Sequence, residues 1–453
     1  MLRIGWASRD FTPTRPALLM GQMHARTARA AADSLTVTAL ALDQGEPGRA
    51  AILVSCDLVM IPPALQARVR HLLQATEPGA PLEAVVLCAT HTHDSLVLED
   101  GFYPPPESGV MTAAECLERV AVQAAEAAAQ AWRERVPRLL GRAFAHAVVG
   151  HCRRAVYAGG AARMYGKTDQ PDFAWIEAGE DHSLDLLFIW EPDGRLAGVV
   201  LDLPCPSQVE EHLSLFSADF WHDVRVELRQ RFGQHLQVLP LCGAAGDQSP
   251  HFLLYGREEE EMRRRRGLTE RQEIAQRVGD AVTRALACSL PAADEPVVAH
   301  ACRTLNLTSR QVTAAEAAWA RSEHERAVQG GMPAGSWWPQ RLLNAVAAHT
   351  QGKALEAEPV EIHAVRLGDA VIATNPFELY LDYGWRIKAR SPAAQTLVVQ
   401  LAAGKGWYLP TARAIEGGHY GAHPVVAPIG AEGGQELVEA TLALLSDLFA
   451  PTA

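Results

Sequence analysis

Val85-Val86-Leu87-Cys88-Ala89-Thr90-His91-Thr92-His93-Asp94 is an apolar run of strand type that breaks off into two histidines one residue apart. Side chains alternate along a strand, so His91 and His93 share a face at its carboxyl end. Ligand crevices of open α/β sheets lie outside the carboxyl ends of strands. Neutral imidazole is both a common metal ligand and the usual base near neutral pH. A structural reading stands beside this one: one ring caps the strand and the other faces water. The rest of the chain decides between them.

Upstream, residues 2–8, Leu35 to Leu42 and Ala50 to Cys56 read as strands, and Pro62 to Gln74 as a helix. Asp57 follows the third strand, where its carboxylate could reach the crevice of His91. Downstream, Thr112 to Arg135 is a long Ala-rich helix with Thr112 and Glu115 spaced as a capping box. Leu184 to Trp190 and Leu196 to Leu203 form a hairpin across Pro192-Asp193-Gly194. Its second strand runs into Pro204-Cys205-Pro206-Ser207-Gln208. Leu236 to Leu241 leads to a small-residue loop ending Gly246-Asp247-Gln248-Ser249-Pro250, which lets backbone approach a ligand closely. Val360 to Leu367 and Ala370 to Thr374 are strands, and Asn375-Pro376-Phe377-Glu378 opens a helix with Pro376 near its first turn. Tyr408 and Tyr420 lie in two late glycine-rich loops. The sequence has no visible internal repeat and no low-complexity linker, so residues 1–453 read as one intertwined α/β domain.

Composition narrows the function. The 453 residues are 48% hydrophobic and 21% charged, ordinary for a globular chain. The net charge of -12 argues against a nucleic-acid partner. The stretch from Glu258 to Arg266 is a block of acids followed by a block of bases and reads as a solvated helix face. No window is apolar enough to span a membrane, and no signal peptide is visible. Eight cysteines without a CxxC pair suit free thiols in a reducing cytoplasm. A homo-oligomer is open.

The order of motifs resembles the catalytic, N-terminal region of the neutral/alkaline non-lysosomal ceramidase family. Asp10-Phe11-Thr12-Pro13 looks like that family's opening Asp-Ile-Thr-Pro. Ala89-Thr90-His91-Thr92-His93 matches its Ala-Thr-His-Thr-His. Gly246-Asp247-Gln248-Ser249-Pro250 is similar to its Gly-Asp-Val-Ser-Pro, and Tyr408 and Tyr420 match its late tyrosines. The resemblance covers nearly the whole chain. It implies a single large catalytic domain of mixed β-sheets flanked by helices, with no counterpart of the family's C-terminal immunoglobulin-like domain.

The family's members are zinc amidases, so the resemblance implies zinc as cofactor and four ligands. His91, Glu378 and Tyr408 take three of these places. Phe377 replaces the glycine that precedes the family's glutamate. The fourth place, a histidine, falls on Pro206. His212 is the first candidate to replace it and Cys205 the second; loss of the metal is the other outcome. The resemblance also implies Arg153 and His93 on the substrate side, Ser249 at the motif serine, and Tyr420 toward a developing oxyanion. Asp247 joins these as a catalytic candidate, and His24, Gln208 and Asn375 are candidate substrate-binding residues. The expected function is hydrolysis of an amide, ester or related bond in a small polar substrate. A metal-independent histidine acid/base enzyme, hydrolase or lyase, and a non-catalytic binding protein are the alternatives.

Overall fold

One plan runs three times along the chain: a strand, an insertion, a pair of antiparallel strands, a helix, a parallel strand and a closing helix. The computed structural model describes residues 1–292, 296–333 and 336–450. The first unit uses strands Arg3–Asp10, Thr36–Asp43, Ala50–Cys56 and Val85–Ala89, with helices Pro63–Thr76 and Ala113–Arg133. The second uses Leu139–His146, Ser183–Trp190, Leu196–Leu203 and Gln237–Cys242, with Phe220–Phe232 and Glu270–Ala287. The third uses Val298–Leu305, Val360–Leu367, Ala370–Thr374 and Gln395–Val399, with Leu381–Arg390 and Ala431–Phe449. In each sheet the strands lie side by side in chain order, and a two-residue strand, Val136–Pro137, extends the first.

Within each unit the first three strands are antiparallel and the fourth is parallel to the third. The parallel registers are Ile52 to Val85, Gly198 to Gln237 and Ala370 to Gln395. A parallel neighbour needs a crossover of a dozen residues or more, and the intervening helix supplies it. Strands covered on both faces need no polar alternation, and all of Ala50–Cys56, Ser183–Trp190 and Leu196–Leu203 is buried. That hides the repeat in the sequence: any apolar run of suitable length serves such a strand. The expectation of no repeat holds for motifs and fails for topology.

The inner faces of the three sheets pack on one another through Leu53, Val86, Val200, Leu241, Val365 and Leu397. Each outer face is covered by its own unit's helices. The fourth strands converge at their carboxyl ends. Cys88 bridges Ala402, Gly243 bridges Val399, and the Ser55 hydroxyl donates to the Pro240 carbonyl at 2.6 Å. Three crevices of the kind expected at strand ends therefore merge into one. The insertions, residues 11–35, 147–182 and 306–359 in so far as described, contribute to the layer above it.

Most local expectations hold. Thr112 and Glu115 make the capping box, and Gly256–Arg266 is an exposed helix laced by Glu261 with Arg264 and Arg265. One fails. Phe377–Leu379 is a short strand, and the helix starts only at Leu381. The Asn375 side chain accepts from the Phe377 amide at 3.1 Å, and the Leu379 amide donates to the Gln400 side chain at 2.9 Å. These local bonds hold the backbone extended past Pro376.

Candidate active site

The site is assembled from strand ends. His91 leaves Val85–Ala89 with φ at +67°, a left-handed conformation costly for a residue with a β-carbon. Its Nδ1 donates to the Val59 carbonyl at 2.7 Å, which turns Nε2 inward. There Nε2 lies 3.4 Å from Glu378 Oε2 and 3.4 Å from His93 Nε2. Glu378 is brought in by its short strand, whose parallel register with Trp407–Leu409 sets Glu378 beside Tyr408. Burial works to raise the Glu378 carboxyl, but His91, Arg153 and Tyr408 more than offset it and hold it below the usual range. Tyr408 is pushed the other way, by burial first and then by the Glu378 charge.

A second layer of bonds ties His93 to Arg153. The Gln208 amide nitrogen is 2.6 Å from His93 Nε2, and Gln208 Oε1 accepts from Arg153 Nη1 at 3.2 Å. On the other side of the ring, Glu211 Oε2 lies 3.0 Å from His93 Nδ1, off the line of a good hydrogen bond. Burial outweighs this carboxylate and lowers the imidazole's pKa. Gly21, at φ +113°, lets the backbone pass: a β-carbon there would stand 2.4 Å from the His93 ring. Arg153 is buried and almost fully engaged. Nη2 donates to the Gly246 carbonyl at 3.0 Å and to the Tyr408 hydroxyl at 3.1 Å, and lies 3.9 Å from Glu378 Oε2. Its Nε has no acceptor among the described residues.

The remaining candidates divide. Tyr420 packs edge-on to Tyr408 with ring centres 5.6 Å apart, its acidity weakened by burial and by Glu378. Ser249 is buried one link out: Tyr165 donates to its Oγ at 3.2 Å, and Arg153 Nη1 donates to the Tyr165 hydroxyl at 3.2 Å. Asp247 serves the backbone, accepting from the Leu381 amide at 3.0 Å and the Gln248 side chain at 3.2 Å. Asn375 is likewise spent on the turn before Glu378. His24 and His212 are exposed, with no bond to the cluster among the described residues. Cys205 points its thiol at the Pro206 carbonyl, and burial holds that thiol far from ionisation. Asp57 is closed off by Arg225 in two bonds of 2.9 Å.

Three participants escaped the sequence reading. Glu211 sits where His212 was expected to act. Tyr165 lies in the second insertion with φ at +53°. Arg26, buried, donates to Asp94 at 2.8 Å and to the His93 carbonyl at 2.5 Å. The third residue after Gln208 was the available signal for Glu211, and the glycine-containing loop from Met20 to Arg26 was the signal for Arg26; nothing local marks Tyr165.

His91 Nδ1 is bonded to the Val59 carbonyl, so Nε2 is the atom that meets the Glu378 carboxylate, at 3.4 Å. That spacing is near the roughly 3.3 Å that separates two ligands of one tetrahedral zinc with bonds of about 2.0 Å. Among the described residues no group of three or more His, Cys, Asp or Glu side chains is arranged for a metal; the third donor here is the Tyr408 phenol. Imidazole, carboxylate and phenol fit an open three-donor site.

Comparison with solved structures supports the same architecture. The chain is similar to a ceramidase complexed with C2, with TM-score 0.70 and 16% identity, over 99% of this chain and 75% of that one. It is similar to neutral ceramidase from Pseudomonas aeruginosa, with TM-score 0.71 and 18% identity, over 100% of this chain and 76% of that one. The fold is ceramidase-like: mixed sheets flanked by helices. No family model matches the chain, and no curated protein matches it.

Proposed function

We propose that this protein hydrolyses an amide, ester or related carbonyl bond in a small polar substrate, assisted by a metal held by His91, Glu378 and Tyr408. The observation that carries this reading is the approach of His91 Nε2 to within 3.4 Å of Glu378 Oε2, with Tyr408 beside Glu378. An ion bound there would polarise a carbonyl and activate water. The protein's own groups do the rest. Arg153 Nε is a buried donor without an acceptor, suited to a substrate oxygen. Gln208 and Glu211 orient the His93 ring beside the reacting centre. Tyr420 is kept protonated at neutral pH by burial, so its hydroxyl can donate to a developing oxyanion. The polar lining favours a small polar substrate over ceramide. No helix among the described residues is long and apolar enough to cross a membrane, and all eight cysteines are free, in keeping with work in the cytoplasm.

A second reading rests on Pro206 and Arg153. With the fourth donor absent and a guanidinium 3.9 Å from Glu378, a protonated His91 could occupy the cation's role, and the histidines would act as acid and base without metal.

The deciding experiment is elemental analysis of wild type and His91→Ala, with hydrolysis of p-nitrophenyl esters and N-acyl amides assayed with and without chelator. About one equivalent of a transition metal, lost in the variant together with hydrolysis, is the expected result. Hydrolysis that persists in chelator, with no bound metal, selects the second reading. Neither metal nor hydrolysis leaves a binding role.

A further inference from the structure

A cavity of about 760 Å³ lies next to the site without including any of its clustered side chains. It is joined to them through chain neighbours: Phe377 precedes Glu378, Trp407 precedes Tyr408, and both line the cavity. That volume is in the range of small-molecule pockets.

Its notable residue is Arg341, in the first turns of helix Trp337–Thr350. The guanidinium carbon stands 4.2 Å over the Trp407 ring, and Nε donates to the Val425 carbonyl. Trp407 is itself fixed, with φ at +61° and Trp337 stacked on it at 5.7 Å. The fork of Arg341 is thereby oriented, yet its two Nη atoms have no acceptor and no carboxylate among the described residues is within ion-pair reach. Arg341 is half-buried, whereas three fully buried arginines are closed by carboxylates: Arg26 with Asp94 at 2.8 Å, Arg154 with Glu177 at 2.6 Å, Arg225 with Asp57 at 2.9 Å. Burial lowers the Arg341 pKa to about 10, with little from neighbours to restore it.

The other charges lining the cavity narrow the ligand. Lys405 is spent on Glu99 at 2.5 Å. Lys353 is exposed, and so are Glu356 and Glu358, which disfavour a polyanion. One free fork beside an aromatic wall suits one planar oxyanion on an apolar body.

We propose that this cavity binds a monocarboxylate, with Arg341 gripping the acid group and the Trp407 wall packing the ligand's apolar part. Combined with the hydrolase reading, on which this extension rests, the substrate is an amide or ester that carries a carboxylate, such as an N-acyl amino acid.

Binding is read by calorimetry, over a period in which chromatography shows the hippurate intact, using hippurate, the neutral benzamide and inorganic phosphate on wild type and on Arg341→Gln and Arg341→Lys. Hippurate should saturate and bind more tightly than benzamide. Arg341→Gln should weaken hippurate at least tenfold, Arg341→Lys less, with benzamide unchanged. Hippurate no tighter than benzamide, or unaffected in a folded Arg341→Gln protein, overturns the proposal; so does a preference for phosphate. Should the variants fail to fold, the wild-type indole resonance of Trp407, assigned through Trp407→Phe, must shift with hippurate, and its failure to move also overturns the proposal. Arg341-dependent binding without any hydrolysis would remove the hydrolase reading and leave the cavity assignment standing.

Discussion

Cys56 and Thr374 end the third strands of the first and third units, and a carboxylate follows each within a few residues. Asp57 receives both arms of Arg225 at 2.9 Å, and the Thr36 amide and hydroxyl at 2.9 Å. Glu378 receives no such fork. It meets His91 Nε2 at 3.4 Å and a guanidinium at 3.9 Å that is busy elsewhere. Equivalent places in the repeat thus hold a carboxylate closed by a two-armed arginine and one held by longer, shared contacts. The first kind holds a fold together, because leaving its partner alone in the interior is costly. The second is available to a ligand.

The sharpest way to break this comparison is to remove each carboxylate in turn. Asp57→Ala strands Arg225 and should cost about 3–5 kcal/mol in urea unfolding. Glu378→Ala should cost less, about 1 kcal/mol, because Arg153 keeps its bonds to Gln208, Gly246 and Tyr408. Equal losses would erase the distinction. The activity test runs the other way. Glu378→Gln should lower kcat/KM by about a hundredfold or more on whichever substrate the screen finds, the size of effect seen when one preorganised electrostatic group is lost, with the unfolding midpoint kept. Asp57→Asn, where it folds, should leave kcat/KM within a few-fold.

The smallest expected effect concerns Glu211, a carboxylate between the two kinds. Burial works to raise its pKa, yet His93, with Arg153 and His251 behind it, holds it at about 2. A depressed folded-state value means stability that is present above the unfolded carboxyl's value, about 4.3, and lost as pH falls toward 2. Urea curves taken from pH 6 down to pH 3 should therefore fall more steeply for wild type than for Glu211→Gln. Parallel slopes would show that Glu211 is not held by His93.

What could be read in the sequence follows from the same physics. His91, His93 and Gln208 could be found because a strand end fixes where the next few side chains emerge, and Arg153 and Tyr408 by resemblance. Glu378 was identified with the wrong backbone around it: Pro376 suits a helix start, and the Asn375 bond that keeps the chain extended is invisible until Phe377 is placed. In the loop after Gln208 no periodicity says which side chain turns inward, so His212 was favoured and Glu211 went unseen. Asp247 and Asn375 have the chemistry of site residues, but backbone amides from distant segments claim them. The threefold plan left no trace at all, since burying a strand on both faces constrains hydrophobicity and little else.

The convergence of three strand ends also has a consequence for the order of events in folding. His91 belongs to the first unit and Glu378 to the third, so the pair comes into being only after the last sheet has docked. A nascent chain released through its second sheet would already present most of the crevice wall and none of the gap between Nε2 and Oε2. Occupancy of that gap is in effect a checkpoint: whatever binds there reads the completed chain, and by mass action favours it over every partly assembled form.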